Sequence, residues 1–333
     1  MLDTPLTFTP IFVPKVWGGR RLEQLGKQLP SDEPIGESWE LADMPSNGAC
    51  SVVSSGPLAG QTLRTVLDTH QQDIMGTVPL NAQGRFPLLI KFLDACENLS
   101  VQVHPDQAWA HSHEGAYLKS EAWVVLDADP GSLIWAGVQP GTTAESMQAA
   151  LDAGRLTDVL QSRPAQLGSC HDLPSGTCHS LGKGVLVAEV QTTSDTTFRV
   201  WDWGRTGRTM HVEASLACID FTTPPPAEVA APSVSASGVT ETMLTTTPWF
   251  TMRRLDTASP STWRIPDRTG PTVAMCIRGD ARILATSGTT PLGMGSTVLL
   301  PAAMQDTSIE LDGQTAVVLA EPTASAIDQN ELQ

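Results

Sequence analysis

Residues 87–105 read Pro87-Leu88-Leu89-Ile90-Lys91-Phe92-Leu93-Asp94-Ala95-Cys96-Glu97-Asn98-Leu99-Ser100-Val101-Gln102-Val103-His104-Pro105. Two runs rich in strand-forming side chains flank Asp94-Ala95-Cys96-Glu97-Asn98, which is turn chemistry. The second run alternates. As a strand it puts Ser100, Gln102 and His104 on one face and Leu99, Val101 and Val103 on the other. Buried polar groups need partners, so an inner face of Ser, Gln and His predicts a metal ion and a polar ligand beside it. Taken alone, Gln102 and His104 also fit a satisfied polar pair on an interior strand.

The rest of the chain sets the frame for this stretch. Its 333 residues are enough for a large core and two domains. Charged residues make up 17%, and 27 glycines and 25 prolines provide many turns, which together predict a β-rich protein. Nine tryptophans stand against one tyrosine, and those before residue 204 point to a pocket in the first two thirds. The formal charge of −16 comes without a basic run, which argues against a nucleic-acid surface or an anionic membrane patch. An anionic small substrate would need a local basic cluster. Six cysteines form no C-x-x-C pair, the opening residues lack a signal-peptide pattern, and no apolar run reaches membrane-spanning length. These features predict free thiols in a cytoplasmic setting.

Along the chain, Phe8 to Gly19 and Gly36 to Leu41 read as strands, the latter with Glu37 and Trp39 opposite Ser38 and Glu40. Residues 57–75 read as a turn and a short helix, and Lys119 to Asp127 as a strand. Residues 142–163 change period: Thr142 with Glu145 has capping-box spacing, and Met147, Leu151, Leu156, Val159 and Leu160 follow helical spacing. This predicts a helical insert. The Pro/Ala/Ser-rich residues 222–243 read as a connection, 244–322 as a second β-rich unit, and 323–333 as a polar tail. Gly168-x5-Pro174-Ser175-Gly176-x2-His179 has an echo in Gly295-x5-Pro301-Ala302-Ala303-x2-Asp306. The punctuation recurs but the histidine does not, so the second unit lacks metal ligands. His111-Ser112-His113-Glu114 has ligand spacing but lies in a polar stretch without strand character, which predicts a solvated loop.

Gly-x5-Pro-x-Gly-x2-His resembles the second motif of the cupin superfamily, small antiparallel jelly-roll β-barrels with a metal in the mouth. Gln102-Val103-His104-Pro105, Lys119-x-Glu121-x-Trp123, Pro174-Ser175-Gly176-Thr177-x-His179 and Phe198-Arg199-Val200-Trp201-Asp202 follow in order. With Trp17-Gly18-Gly19 and Glu37-Ser38-Trp39, this series resembles the type I mannose-6-phosphate isomerases, particularly their shorter bacterial form. The resemblance implies a mainly β fold of two cupin-like barrels: a catalytic one over 1–221, with the insert at about 142–163, and a second over 244–322. It implies one Zn²⁺ per chain on Gln102, His104, Glu121 and His179, a donor set that suits zinc. It implies interconversion of D-mannose 6-phosphate and D-fructose 6-phosphate through an enediol(ate), in a monomer or homodimer.

By the same resemblance Arg199 is the active-site arginine, Lys119 a substrate-contacting or acid–base lysine, and Glu189 a candidate base. Ser100 and Arg205 are candidates for the phosphate group, and Trp17, Glu37 and Lys91 match pocket positions. From the residues alone, Arg199 also fits an ion pair with Asp195 or Asp202, and Lys119 and Glu189 fit exposed strand positions. Cys170 and Cys178 read as core or neutral filler. Ser169 and Ser180 depart from the family pattern without removing a ligand. The competing functions are a non-catalytic sugar-binding cupin, a cupin metalloenzyme acting on another sugar phosphate, and an iron or manganese oxygenase; Gln102 in place of histidine speaks against the last.

Overall fold

Alternation along two central strands decides which layer each side chain enters. In Leu88–Ala95, Leu88, Ile90 and Phe92 join one core while Leu93 and Ala95 join another. The strand Val185–Thr192 splits in the same way, with Leu186, Ala188 and Val190 against Val185 and Val187. Strands covered on both faces read as near-continuous apolar runs, as both do. The computed structural model describes residues 2–30, 32–45, 48–224, 233–234 and 238–323, and among these the chain is mainly β with antiparallel pairing.

The two strands lie at the centre of a six-stranded sheet in the order Cys170–Leu173, Glu121–Ala128, Val185–Thr192, Leu88–Ala95, Ile35–Leu41, Ile11–Gly19. One face meets a five-stranded sheet of Phe198–Trp201, Val101–Val103, His179–Leu181, Leu133–Val138 and Leu160–Pro164, around Trp123, Val125, Ile134, Ala136 and Leu181. The other face packs through Phe86, Phe92, Val124, Phe250, Met275 and Val318 onto an eight-stranded sheet. That sheet orders Ser233–Val234, Thr240–Thr246, Phe250–Asp256, Ala316–Pro322, Thr272–Arg278, Thr297–Leu300, Leu6–Thr9 and Val52–Val53. A four-stranded sheet of Ser261–Arg264, Ser308–Leu311, Asp280–Ala285 and Gly288–Gly293 covers its far side. The N-terminal strand therefore joins the sheet of the C-terminal half, pairing Leu6 with Leu299 and Phe8 with Val53.

The helix Leu63–Met75 follows the predicted turn, is capped by Thr62, and buries Leu63, Val66, Leu67, Ile74 and Met75 in the core between the larger sheets. The insert differs in detail from expectation. Its helix is Ala144–Asp152 and is followed by a 3-10 turn, Leu156–Val159. The last residues of the expected insert, 160–163, belong to a strand, Leu160–Pro164, paired to Leu133–Val138. The capping box is Thr143 with Ser146, whose hydroxyl accepts the Thr143 N–H at 2.8 Å; Thr142 is buried and does not cap. His111 belongs to a helix, Gln107–Ser112, capped by Asp106 accepting from the Trp109 N–H at 2.8 Å. It remains solvent-exposed, and His113 stacks on Trp109 at 3.9 Å. The helix Val212–Cys218 was not anticipated.

The internal echo has a structural counterpart. Cys170–Leu173 and His179–Leu181 carry the chain from the six-stranded to the five-stranded sheet, and Thr297–Leu300 and Ser308–Leu311 carry it from the eight-stranded to the four-stranded one. The strand Thr240–Thr246 begins inside the expected connection, whose residues 225–232 and 235–237 lie outside the described residues, as do 324–333 of the expected tail.

Phe92 is fully buried between the two large sheets. Phe92→Ala leaves a cavity there and should lower unfolding free energy by about 3–5 kcal/mol, read as a lower denaturant midpoint with an unchanged slope.

Candidate active site

Gln102 and His179 are register partners on adjacent strands of the five-stranded sheet, and Glu121 lies on the facing sheet opposite Gln191. This juxtaposition brings His104, Glu121 and His179 together, fully buried, with ligand atoms within 4.8 Å of one another. His104 Nε2 is 3.4 Å from Glu121 Oε2, and His179 Nε2 is 3.1 Å from Oε1. Each ring spends its other nitrogen on a backbone carbonyl: His104 Nδ1 donates to Thr196 O at 3.0 Å and His179 Nδ1 to Thr177 O at 2.8 Å. In a neutral ring that leaves an Nε2 lone pair, so two lone pairs face a carboxylate. Gln102 Nε2 stands 3.2 Å from His179 Nε2, and turning the amide would present its oxygen instead. His104 Nε2 and both Glu121 oxygens are buried without a hydrogen bond of good geometry. Converging acceptors of this kind fit a cation.

The charges agree with that geometry. Burial and the neighbouring Lys119 push the His104 imidazolium down to about 3, so the ring stays neutral. Burial pushes the Glu121 carboxyl up, but the Lys119 ammonium at 2.9 Å together with the His104 and His179 rings outweighs it and holds the group well below the usual carboxylate range.

Above this cluster is a cavity of about 270 Å³ lined by Trp17, Glu37, Lys91, Ser100, Gln102, Lys119, Glu189 and Arg199. Its floor is a charge ladder across four strands. Trp123 Nε1 donates to Glu189 Oε2 at 2.7 Å, and Lys91 Nζ lies 3.0 Å from Glu189 Oε1 and 3.6 Å from Glu37 Oε2. Trp39 Nε1 donates to Glu37 Oε2 at 2.6 Å, and Lys15 pairs with Oε1 at 3.0 Å. Gly36 makes room for this end: a Cβ there would meet Lys15 Cβ at 2.6 Å and the Trp17 ring at 2.7 Å. Burial opposes charge on Lys91, but Glu189 and Glu37 outweigh it and hold the ammonium protonated.

Arg199 donates from Nη1 to Thr209 O at 2.6 Å, and its Nε is buried without a partner. Arg205 does not line the cavity; it donates to Asp202 at 2.6 Å and to Asn98 O at 2.8 Å. Arg208 stands in the lining instead, held through Nη1 by both Asp202 oxygens at 3.0 and 3.1 Å. Lys15, Trp39, Trp123, Asp195, Thr197 and Arg208 also line the cavity, without having been given a site role from the sequence. Lys15 shares parity with Trp17, which was a usable signal. Choosing between Arg205 and Arg208 required the path of the loop. Cys178 is buried on the far side of His179's strand, and burial pushes its thiol up to about 12.

A mainly β chain whose facing sheets bury a His–Glu–His cluster beneath a cavity rich in cations fits the cupin-type class of aldose–ketose isomerases. The profile for phosphomannose isomerase type I, catalytic domain, matches residues 6–130. The mannose-6-phosphate isomerase of Streptococcus mutans is 34% identical over 316 residues, covering 91% of this chain and 94% of that protein. A mannose-6-phosphate isomerase of Bacillus subtilis is 36% identical over 226 residues, 66% of this chain and 69% of that one. A crystal structure of the Bacillus subtilis mannose 6-phosphate isomerase superposes with a TM-score of 0.86 at 28% identity, covering 95% and 99% of the two chains. The chain belongs to the type I mannose-6-phosphate isomerase family. Among the described residues no helix is long and apolar enough to cross a membrane.

The ladder carries a pH signature. Burial pushes the Glu37 carboxyl up, but Lys91, Lys15 and the Trp39 N–H bring it from 4.5 down to about 2. A carboxyl lowered on folding contributes stability that is present above its unfolded value and is lost as pH falls through the folded one. The stability difference between wild type and Glu37→Gln should therefore shrink between pH 4.5 and about 2, measured by denaturant titration at a series of pH values.

Proposed function

We propose that the chain interconverts D-mannose 6-phosphate and D-fructose 6-phosphate through an enediol(ate), using one Zn²⁺ held by Gln102, His104, Glu121 and His179. The observation that carries this is the convergence of the buried ligand atoms of His104, Glu121 and His179 within 4.8 Å of one another. Nitrogen and carboxylate donors with an amide oxygen suit zinc. When bound, the ion would supply Lewis-acid stabilisation of negative charge developing on the substrate oxygens.

The remaining work falls to the chain's own residues. Isomerisation moves a proton between C2 and C1, and the cost lies in C–H acidity and in charge on the enediolate oxygens. Glu189 is the proposed base: its Oε1 lies beside Lys91 without a hydrogen bond of good geometry, at the cavity floor. Lys91 keeps that carboxylate oriented, and Glu37 with Trp39 keeps Lys91 oriented. Lys119 and Arg199 are cations directed at the developing oxyanion, and Trp17 excludes water from the same cavity. Arg208 and Ser100 take the phosphate, while Arg205 acts indirectly by sharing Asp202. In this proposal residues up to 221 form the catalytic barrel, apart from Leu6–Thr9 and Val52–Val53, which pair in the sheet of the other half, and residues 240–322 form a barrel without ligands. A monomer or homodimer in the cytoplasm completes it.

Turnover of mannose 6-phosphate, followed with metal counted before and after chelation, tests the proposal. Wild type should carry about one zinc and lose activity on chelation, and Glu121→Ala should lose activity by roughly 100-fold or more with little bound metal. Stoichiometric zinc without turnover would sink the substrate assignment and point to a sugar-binding protein or another sugar phosphate. No bound metal would sink the ligand set. For the phosphate, Arg208→Ala should raise KM about 10-fold or more as a charge-assisted contact is lost, and Arg205→Ala should raise it by less. The reverse order would return the assignment to Arg205.

A further inference from the structure

Arg199 is held at the cavity wall by the chain segment that folds back beside its strand. The His211 N–H donates to the Arg199 carbonyl at 2.9 Å, Arg199 Nη1 donates to Thr209 O, and the Arg199 N–H donates to His211 Nδ1 at 3.2 Å. Only the last of these bonds depends on a protonation state. A backbone N–H can only donate, so Nδ1 must present a lone pair and the neutral ring carries its proton on Nε2. An imidazolium has N–H groups at both positions. It would lose this bond, set N–H against N–H, and add a cation beside a guanidinium.

The histidine is itself anchored. The Ser215 N–H donates to His211 O at 2.8 Å and the Ser215 hydroxyl at 2.7 Å, tying it to the start of Val212–Cys218. The Phe198 ring packs against it with centroids 5.9 Å apart. Arg199 is the charged group bearing on the ring from the neighbouring strand; Glu213 follows on the ring's own helix, and Val101–Val103, which also packs on that helix, brings no ionisable side chain.

We propose that His211 is a positioning residue for Arg199, and that only its neutral, Nε2-protonated form keeps Arg199 presented to the substrate. The role rests on Arg199 contacting substrate, as set out above. Burial and the Arg199 charge push the imidazolium below its usual value, so the holding form prevails near neutrality and is lost in acid.

The test uses full-length, metal-replete protein with mannose 6-phosphate between pH 5 and 8. In His211→Asn the amide oxygen retains an acceptor near the position of Nδ1 but does not titrate, while His211→Phe keeps the ring and removes the acceptor. His211→Asn should stay within about threefold of wild-type kcat at pH 7.5 and fall less than wild type on going to pH 5.5, whereas His211→Phe should lose about 10- to 100-fold in kcat with metal content unchanged. Imidazole ¹⁵N spectra of the wild type should show Nε2–H and a bare Nδ1 at pH 7.5, and the Arg199 amide shift should move as His211 titrates. Wild-type kcat in His211→Phe, an unchanged acid limb in His211→Asn, or a protonated Nδ1 in the neutral ring would each overturn the proposal. If wild type does not turn over mannose 6-phosphate, the substrate assignment falls on its own. The Arg199 amide then still decides the positioning bond, movement supporting it and invariance overturning it.

Discussion

The negative charge of Glu121, fully buried, is the constraint to which the surrounding structure answers. Desolvation alone would protonate such a group. Lys119 supplies one compensating charge from two residues away on the same face of the chain, and two imidazoles turn their Nε2 atoms toward the carboxylate. Those orientations depend on Thr196 and Thr177 carbonyls, and therefore on the loops that follow Val185–Thr192 and Pro174. The polar centre thus specifies the register between the five- and six-stranded sheets as well as the chemistry above it.

The six-stranded sheet resolves a conflict between burial and charge by dividing it along each strand. One parity of Val185–Thr192 supplies Leu186, Ala188 and Val190 to the core; the other supplies Glu189 and Gln191 to the polar side. Across the neighbouring strand Lys91 answers Glu189, and across the next Glu37 answers Lys91. Each charge has a cross-strand partner, so the ladder is aligned by the backbone pairing rather than by mobile surface side chains. A second buried pair, Lys27 with Glu40 at 2.7 Å, lies on the opposite side of Ile35–Leu41, where Lys27 also donates to the Gly295 carbonyl at 2.6 Å.

Much of this was legible in the sequence because period and polarity disagreed at the right places. Ser100, Gln102 and His104 interrupt an apolar run at every second residue, and Lys119 shares parity with Glu121; both patterns survive in the structure as described. The Gly168 to His179 punctuation reported a chain crossing between sheets, and its echo at Gly295 reported a second. Elements capped by a single side chain were harder to read. Asp106 starts a helix too short for hydrophobic periodicity, and Thr143 rather than Thr142 caps the insert because the box closes on a serine hydroxyl. Arg208 was missed for a different reason: its approach to the cavity depends on Asp202 gathering two arginines from one turn, a preference that linear spacing does not encode.

The pairing of Leu6–Thr9 with Thr297–Leu300 joins segments nearly 300 residues apart. During vectorial synthesis the first strand leaves the ribosome long before its partner exists, and domains ordinarily fold N-terminal first. Phe8 can meet Val53 early, but Leu6 and Thr7 must wait, with backbone groups bonded only to water, until Thr297–Leu300 is made. The eight-stranded sheet can therefore close only after Ala316–Pro322 has been made, and the interval before closure is when this chain is most open to chaperones and to pairing with the wrong edge.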